Sequence, residues 1–280
     1  MDQRPFGKTG DLVPAVGQGT WRMEGDDRAR AILALRAGLD AGMTHVDTAE
    51  MYGSGEVEET VREAIAGRRD EVFLVSKVWP QNATYQGVQA ACERTLSRLG
   101  TDRLDCYLLH WPSHHPLEET IRGFEELVRR GKIRSWGLSN FDAPRLEKAL
   151  AIAGEGRIAC DQVLYNVGER SIEHAVLPWC EKHGVAVVAY SPLGSGVFPS
   201  PRSAGGQALR DIAKAHAATP YQVAIAFVLR RPSVLTVVKA SEPAHAVENA
   251  RAADRRLSAV EVRRLEAVFP LRVKRELPML

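Results

Sequence analysis

Asp47, Tyr52, Lys77 and His110 have the types and order that proton transfer to a substrate requires. The stretch HVDTAEMYGSGE, residues 45–56, begins as a short apolar strand, places a carboxylate at its end and a phenol one loop later. A tyrosine with a pKa of about 10 is a poor proton shuttle near neutrality unless a cation or a hydrogen bond stabilises its phenolate. A helper cation is therefore expected, and Lys77 closes the next apolar run, VFLVSK. A lysine ending a mostly buried strand is costly unless it is paired, which makes Asp47 on the neighbouring strand its natural counter-ion. The third run, LDCYLLHWP, ends in His110, so three successive strands deliver acid, lysine and histidine to one rim.

Positioning these groups calls for strands that end side by side. Apolar runs of strand length alternate with amphipathic helical stretches from AVGQ to LTVVK, eight βα units in all. That pattern predicts a closed parallel (β/α)8 TIM barrel, of which about 250 residues suffice. Residues 1–280 are expected to form one domain. RPFGKTGDLVPAVGQGTW reads as a hairpin ahead of the first barrel strand, and Ser258 to Phe269 as an extra helix behind a serine cap. An open doubly wound sheet is the alternative, but no G-x-G-x-x-G is present. The stretch 191–206, rich in Gly, Pro and Ser, is longer than a barrel connection needs and is expected to be a flap at the catalytic rim. The final LRVKRELPML reads as a short tail that leaves the site open.

Composition narrows the functional class. With 45% apolar and 26% charged residues the chain can bury a full core, and a net charge of +2 does not indicate a nucleic-acid partner. Cys92, Cys106, Cys160 and Cys180 lack metal or redox spacing and are expected to be reduced, packed thiols. No signal core or membrane span is read, so a cytoplasmic enzyme is expected; separately, a monomer without a bound metal is expected.

DTAEMYG, VSKV, LLHWP, GLSNF, YSPLGSG and VKASEPAHAVEN occur in the order and rough spacing of the aldo-keto reductases, and the resemblance runs from about residue 5 to residue 256. It implies reduction of a small carbonyl substrate by NAD(P)H, with Asp47, Tyr52, Lys77 and His110 as the catalytic set. Tyr52 would protonate the forming alkoxide, Lys77 lower the tyrosine pKa, Asp47 hold the lysine, and His110 hydrogen-bond the carbonyl oxygen. The resemblance also implies a cofactor site. Gly19, Thr20 and Trp21 belong to it, Ser139, Asn140 and Gln162 would hold the nicotinamide carboxamide, and Tyr190 would stack on its ring. Ser191, Leu193 and Ser195 would meet the pyrophosphate, and Lys239, Ala240, Ser241, His245, Glu248 and Asn249 the adenosine end.

Here the chain departs from NADPH-preferring relatives, with Ala240 in a serine's place and His245 in an arginine's. Ser241 offers a hydroxyl one residue on, and Lys239 keeps a full charge. The expected preference is NADPH over NADH, weaker than in relatives with the arginine. Trp21, Trp79 and Trp111 follow the first, third and fourth strands and read as walls of an apolar substrate pocket. Several stretches resemble bacterial reductases of methylglyoxal and similar compounds. Two other functions are alternatives: a cofactor-binding regulatory protein of negligible turnover, against which the intact catalytic set argues, and a cofactor-free isomerase on the same barrel.

Overall fold

The computed structural model describes residues 1–272 and 277–280. Strands β1 (Gln3–Pro5) and β2 (Leu12–Pro14) form the antiparallel hairpin expected from the sequence. Eight strands follow: β3 (Val16–Gly19), β4 (His45–Asp47), β5 (Phe73–Val78), β6 (Leu104–Leu109), β7 (Ile133–Ser139), β8 (Ile158–Leu164), β9 (Ala186–Tyr190) and β10 (Val234–Val238). All pair in parallel, and β10 returns to β3 to close the barrel. Every residue of β6 and β8 is buried, because the barrel interior covers one face of each strand and the helices cover the other.

The surrounding helices are α1 (Arg28–Asp40), α2 (Glu56–Ala64), α3 (Tyr85–Leu99), α4 (Leu117–Arg129), α5 (Ala143–Ala153), α6 (Val176–His183), α7 (Ala204–Ala215), α8 (Pro220–Val228), α9 (Pro243–Ala250) and α10 (Ala259–Val268). Their starts are written in the sequence. Asp27, Thr84, Asp142 and Ser203 each accept a backbone N–H of the first turn, and Thr219 and Ser258 complete capping boxes with Gln222 and Glu261. The extra terminal helix is thus α10, behind the predicted serine.

One boundary differs from the sequence reading. Residues 204–206, taken as the end of the long loop, are the first turn of α7, and two helices rather than one separate β9 from β10. Gly206 is needed there because an added Cβ would lie 2.0 Å from the Ser200 carbonyl oxygen. The glycines that suggested a loop therefore mark close packing within a helix.

At the opposite rim from the catalytic residues, Phe6 of the hairpin packs with Val75, Leu108, Val188 and Leu235 inside the barrel, and its burial contributes about 1.5–3 kcal/mol. Beside it His45 is fully buried, edge-on to Phe6 and Phe73, and neither ring nitrogen has a hydrogen-bond partner among the described residues. Burial pushes its pKa down to about 4. Between an unfolded value near 6.5 and this folded value, the unfolded chain takes up a proton that the folded chain refuses, so stability falls as pH drops through that window. His45→Leu is expected to flatten the decline in urea stability by up to about 1.4 kcal/mol per pH unit. A slope identical to that of the parent protein would place the acid sensitivity in another group.

Candidate active site

Adjacent strands β4, β5 and β6 bring the catalytic candidates together. Lys77, near the end of β5, is 1% exposed at its side chain, and its ammonium has three protons to place. Its three acceptors are Asp47 Oδ1 at 2.5 Å, the Thr48 carbonyl oxygen at 2.8 Å and Tyr52 Oη at 3.4 Å. The second oxygen of Asp47 accepts from Gln162 Nε2 at 2.7 Å. No donor or acceptor of this pair is left open, which is the condition under which a buried ion pair is tolerated.

Tyr52 is buried at the start of a 3₁₀ turn, Tyr52–Gly55, that leads into α2. Gly55 is required because its φ is +102°, in the left-handed region, and an added Cβ would also displace the Arg98 guanidinium, 2.5 Å away. Two buried acids fix this loop from behind. Glu58 accepts from Ser76 Oγ and Arg98, and Glu50 accepts from the Trp79 N–H, Asn82 Nδ2 and Arg94. Burial raises the Tyr52 pKa above 10 and the Lys77 charge pulls it down, with burial dominant in this protein-only site. For Lys77, burial opposes the charge, but Asp47 and Tyr52 outweigh it and raise its pKa above the usual value.

His110 follows β6 and meets Tyr52 edge-on at 5.6 Å. Burial, and then the Lys77 charge, hold its pKa well below 6.5, so the ring is neutral and has one N–H to donate. Its Nδ1 is buried without a partner among the described residues.

A cavity of about 370 Å³ opens on this group. Asp47, Tyr52 and His110 line it, while Lys77 lies behind them. Gly19, Thr20, Trp21 and Trp111 reach it from the first and fourth barrel loops. Ser139, Asn140, Gln162, Tyr190, Ser191, Leu193, Ser195 and Lys239 complete the part foreseen in the sequence. Tyr190 donates to Asn140 Oδ1 at 2.9 Å, and Asn140 Nδ2 donates to the His110 carbonyl oxygen at 3.1 Å. The backbone here is strained: Arg22, Asn140, Ser191 and Ser195 all have φ between +50° and +64° and all line the cavity. Such conformations persist where the surroundings over-determine them, and they gather at ligand sites.

Two expectations change, and one further group of residues lies apart from the cavity. Trp79 is not among the lining residues, because Glu50 holds its N–H and the chain turns at once into the 3₁₀ turn Pro80–Asn82. The tail does bound the site: Met279 and Leu280 line the cavity, and the Leu280 N–H lies 3.4 Å from Tyr190 Oη. Residues 273–276 of that tail lie outside the described residues. Ala240, Ser241, His245, Glu248 and Asn249 do not line the cavity but sit around the start and body of α9. There Glu248 accepts from Thr219 Oγ1 at 2.6 Å, and His245 is exposed.

Two contributors escaped the sequence reading. Glu50 stands inside the DTAEMY motif but between more conspicuous residues, and Asp26 lies just ahead of α1, outside every motif of the sequence. Asp26 in fact pairs with Lys239 at 2.9 Å and accepts from Ser241 Oγ at 2.8 Å.

Asp47→Asn leaves the Lys77 ammonium buried without a charged partner and is expected to cost about 3–5 kcal/mol of stability. Adding Lys77→Met removes the stranded charge, so the double variant should recover at least about half of that loss. Urea denaturation of both single variants and the double measures it. Simple additivity would mean that the two side chains do not act as a pair.

The model of the Aldo/keto reductase family matches residues 15–269. Methylglyoxal reductase YeaE of Escherichia coli (strain K12) is 42% identical over 273 residues, covering 96% of each chain. Glyoxal reductase of Bacillus subtilis (strain 168) is 31% identical, over 91% of this chain and 89% of its own. An aldo/keto reductase from Klebsiella pneumoniae, crystallised in complex with NADP and acetate, superposes with a TM-score of 0.93 at 42% identity over the whole of both chains. With a matching barrel, an interlocked Asp47–Lys77–Tyr52 group and a family model that spans most of its length, the chain belongs to the aldo/keto reductase family.

Proposed function

We propose that this protein reduces small aldehydes or ketones of the methylglyoxal type to alcohols with NADPH, Tyr52 giving the proton. The observation that carries the reading is the Lys77 ammonium, held by Asp47 and 3.4 Å from the Tyr52 hydroxyl at the floor of the cavity. The E. coli and B. subtilis relatives, named for methylglyoxal and glyoxal reduction, support the substrate class, and the K. pneumoniae structure supports the cofactor.

The residues present suit a nicotinamide nucleotide. Asn140 and Gln162 carry the donors and acceptors that a carboxamide needs, Tyr190 presents a ring at the cavity, and Lys239 and Ser241 already hold an anion in the form of the Asp26 carboxylate. When bound, the nicotinamide supplies the hydride. The chain does the rest. As negative charge grows on the carbonyl oxygen, the neutral His110 N–H and the Tyr52 hydroxyl stabilise the transition state more than the ground state. Tyr52 passes its proton to that oxygen, and the phenolate left behind is stabilised by Lys77, whose charge Asp47 keeps in place. Because Lys77 offers one proton to each of three acceptors, it can strengthen its bond to the phenolate without reorienting. Trp21, Met51 and Trp111 give the cavity apolar walls that suit a small carbonyl compound and exclude water.

A reduction assay over a panel of aldehydes with NADPH and NADH tests the reading, and absence of turnover with every aldehyde would refute it. Tyr52→Phe should lower turnover at least about a hundredfold while NADPH still quenches tryptophan fluorescence. Near-normal turnover in this variant would exclude Tyr52 as the donor. In alcohol oxidation, where the phenolate is the base, Lys77→Met should move the rising limb of the pH–rate profile to higher pH, since removing the cation leaves burial to raise the Tyr52 pKa unopposed. An unshifted limb would make Lys77 structural only.

A further inference from the structure

Asp26 and Asp27 are adjacent, yet they do different things. Asp27 caps α1 by accepting the Arg30 N–H at 2.8 Å. Asp26 takes no part in that cap. Its carboxylate reaches across to the end of β10, a place 213 residues away in sequence. There it pairs with Lys239 Nζ at 2.9 Å and accepts from Ser241 Oγ at 2.8 Å. A third contact, from Lys239 Nζ to the Arg22 carbonyl oxygen at 3.1 Å, completes the lysine's surroundings. Lys239 faces the cavity, and the pair is partly open, 29% and 19% exposed at the two side chains.

We propose that Asp26 is a built-in stand-in for the 2′-phosphate of the cofactor, holding Lys239 and Ser241 until the phosphate displaces it. This rests on the reading of Lys239 and Ser241 as the phosphate-binding end of the cofactor site. An ammonium has three protons and can bridge two anions, but the Ser241 hydroxyl has one and can serve a single acceptor at a time. A phosphate taking that proton must take it from Asp26. Two anions within reach of one lysine also repel each other, so the carboxylate withdraws as the phosphate arrives. The stand-in keeps the lysine aimed and at the same time weakens binding of the phosphorylated cofactor, because one charge-assisted pair is exchanged for another rather than added. Asp26 follows directly on Trp21, Arg22 and the 3₁₀ turn Met23–Gly25, so its withdrawal moves the segment that forms one wall of the cavity.

The test uses 2′,5′-ADP and 5′-AMP, which differ only in the 2′-phosphate, titrated calorimetrically into the intact protein. Asp26→Asn keeps the shape and an acceptor for Ser241 but removes the competing charge. It should tighten 2′,5′-ADP by about two- to fivefold, the scale of one partly exposed ion pair, and leave 5′-AMP unchanged. NADPH and NADH, followed by tryptophan quenching, should split in the same way. Weaker or unchanged 2′,5′-ADP binding, or an equal gain for 5′-AMP, would overturn the proposal. Asp26→Ala repeats the measurement if the asparagine variant does not fold. Lys239→Met separates the two levels of the argument. If it weakens 2′,5′-ADP selectively while Asp26→Asn has no effect, the stand-in alone fails. If it affects both nucleotides equally, the phosphate-site reading fails, and the stand-in with it.

Discussion

An ammonium sealed in the wall of a barrel can persist only if each of its protons has an acceptor, and at Lys77 that requirement dictates much of the surrounding structure. Asp47 must end the neighbouring strand, the chain must turn so that the Thr48 carbonyl points inward, and Tyr52 must return to within reach. The second oxygen of Asp47 needs a donor of its own, which Gln162 supplies from β8. Stability and chemistry thus draw on the same contacts. The acceptor that completes the lysine's set of partners is the Tyr52 hydroxyl oxygen, and that residue lines the cavity.

Around this centre the loops adopt conformations that the strands alone would not impose. Of the non-glycine residues with left-handed backbones among the described residues, Ala217 alone lies away from the site loops. Arg22, Asn140, Ser191 and Ser195 line the cavity, and Ser54 follows Tyr52 by two positions. Each costs of order 1–3 kcal/mol, which the largely buried barrel strands beneath can offset. Rigid strands set the distances among Asp47, Lys77 and His110, and strained loops bring the remaining side chains over them.

The barrel was legible in the sequence because its signal is repeated: eight apolar runs, each followed by a helical pattern, fix topology even where single boundaries shift. The Asp47–Lys77 pairing was legible for a different reason, since a lysine ending a buried strand demands an acid and the adjacent strand end offers one. What the sequence hid depends on packing between distant segments. Gly205 and Gly206 look like loop residues, yet they belong to α7 because Phe269 and the Ser200 carbonyl leave no room for a Cβ. Trp79 shares with Trp21 and Trp111 a place just after a strand. The bond from its N–H to the buried Glu50 and the 3₁₀ turn that follows it distinguish its setting from theirs. Met279 and Leu280 lie far from any motif, and no local pattern announces that they return to the cavity.

Among the described residues two lysine–aspartate pairs stand at the same rim, and depth separates them. Lys77 and Asp47 are 1% and 3% exposed, so no outside anion can compete for the lysine without first being desolvated, and the pair is permanent. Lys239 and Asp26, at 29% and 19%, stand where water and solutes reach them. Partial solvation lowers the cost of parting these charges, as it does for surface ion pairs in general, and makes exchange for a ligand anion feasible. The strand ends place one pair beneath the cavity and the other at its edge, and the difference in exposure fixes the first in place and leaves the second accessible to exchange.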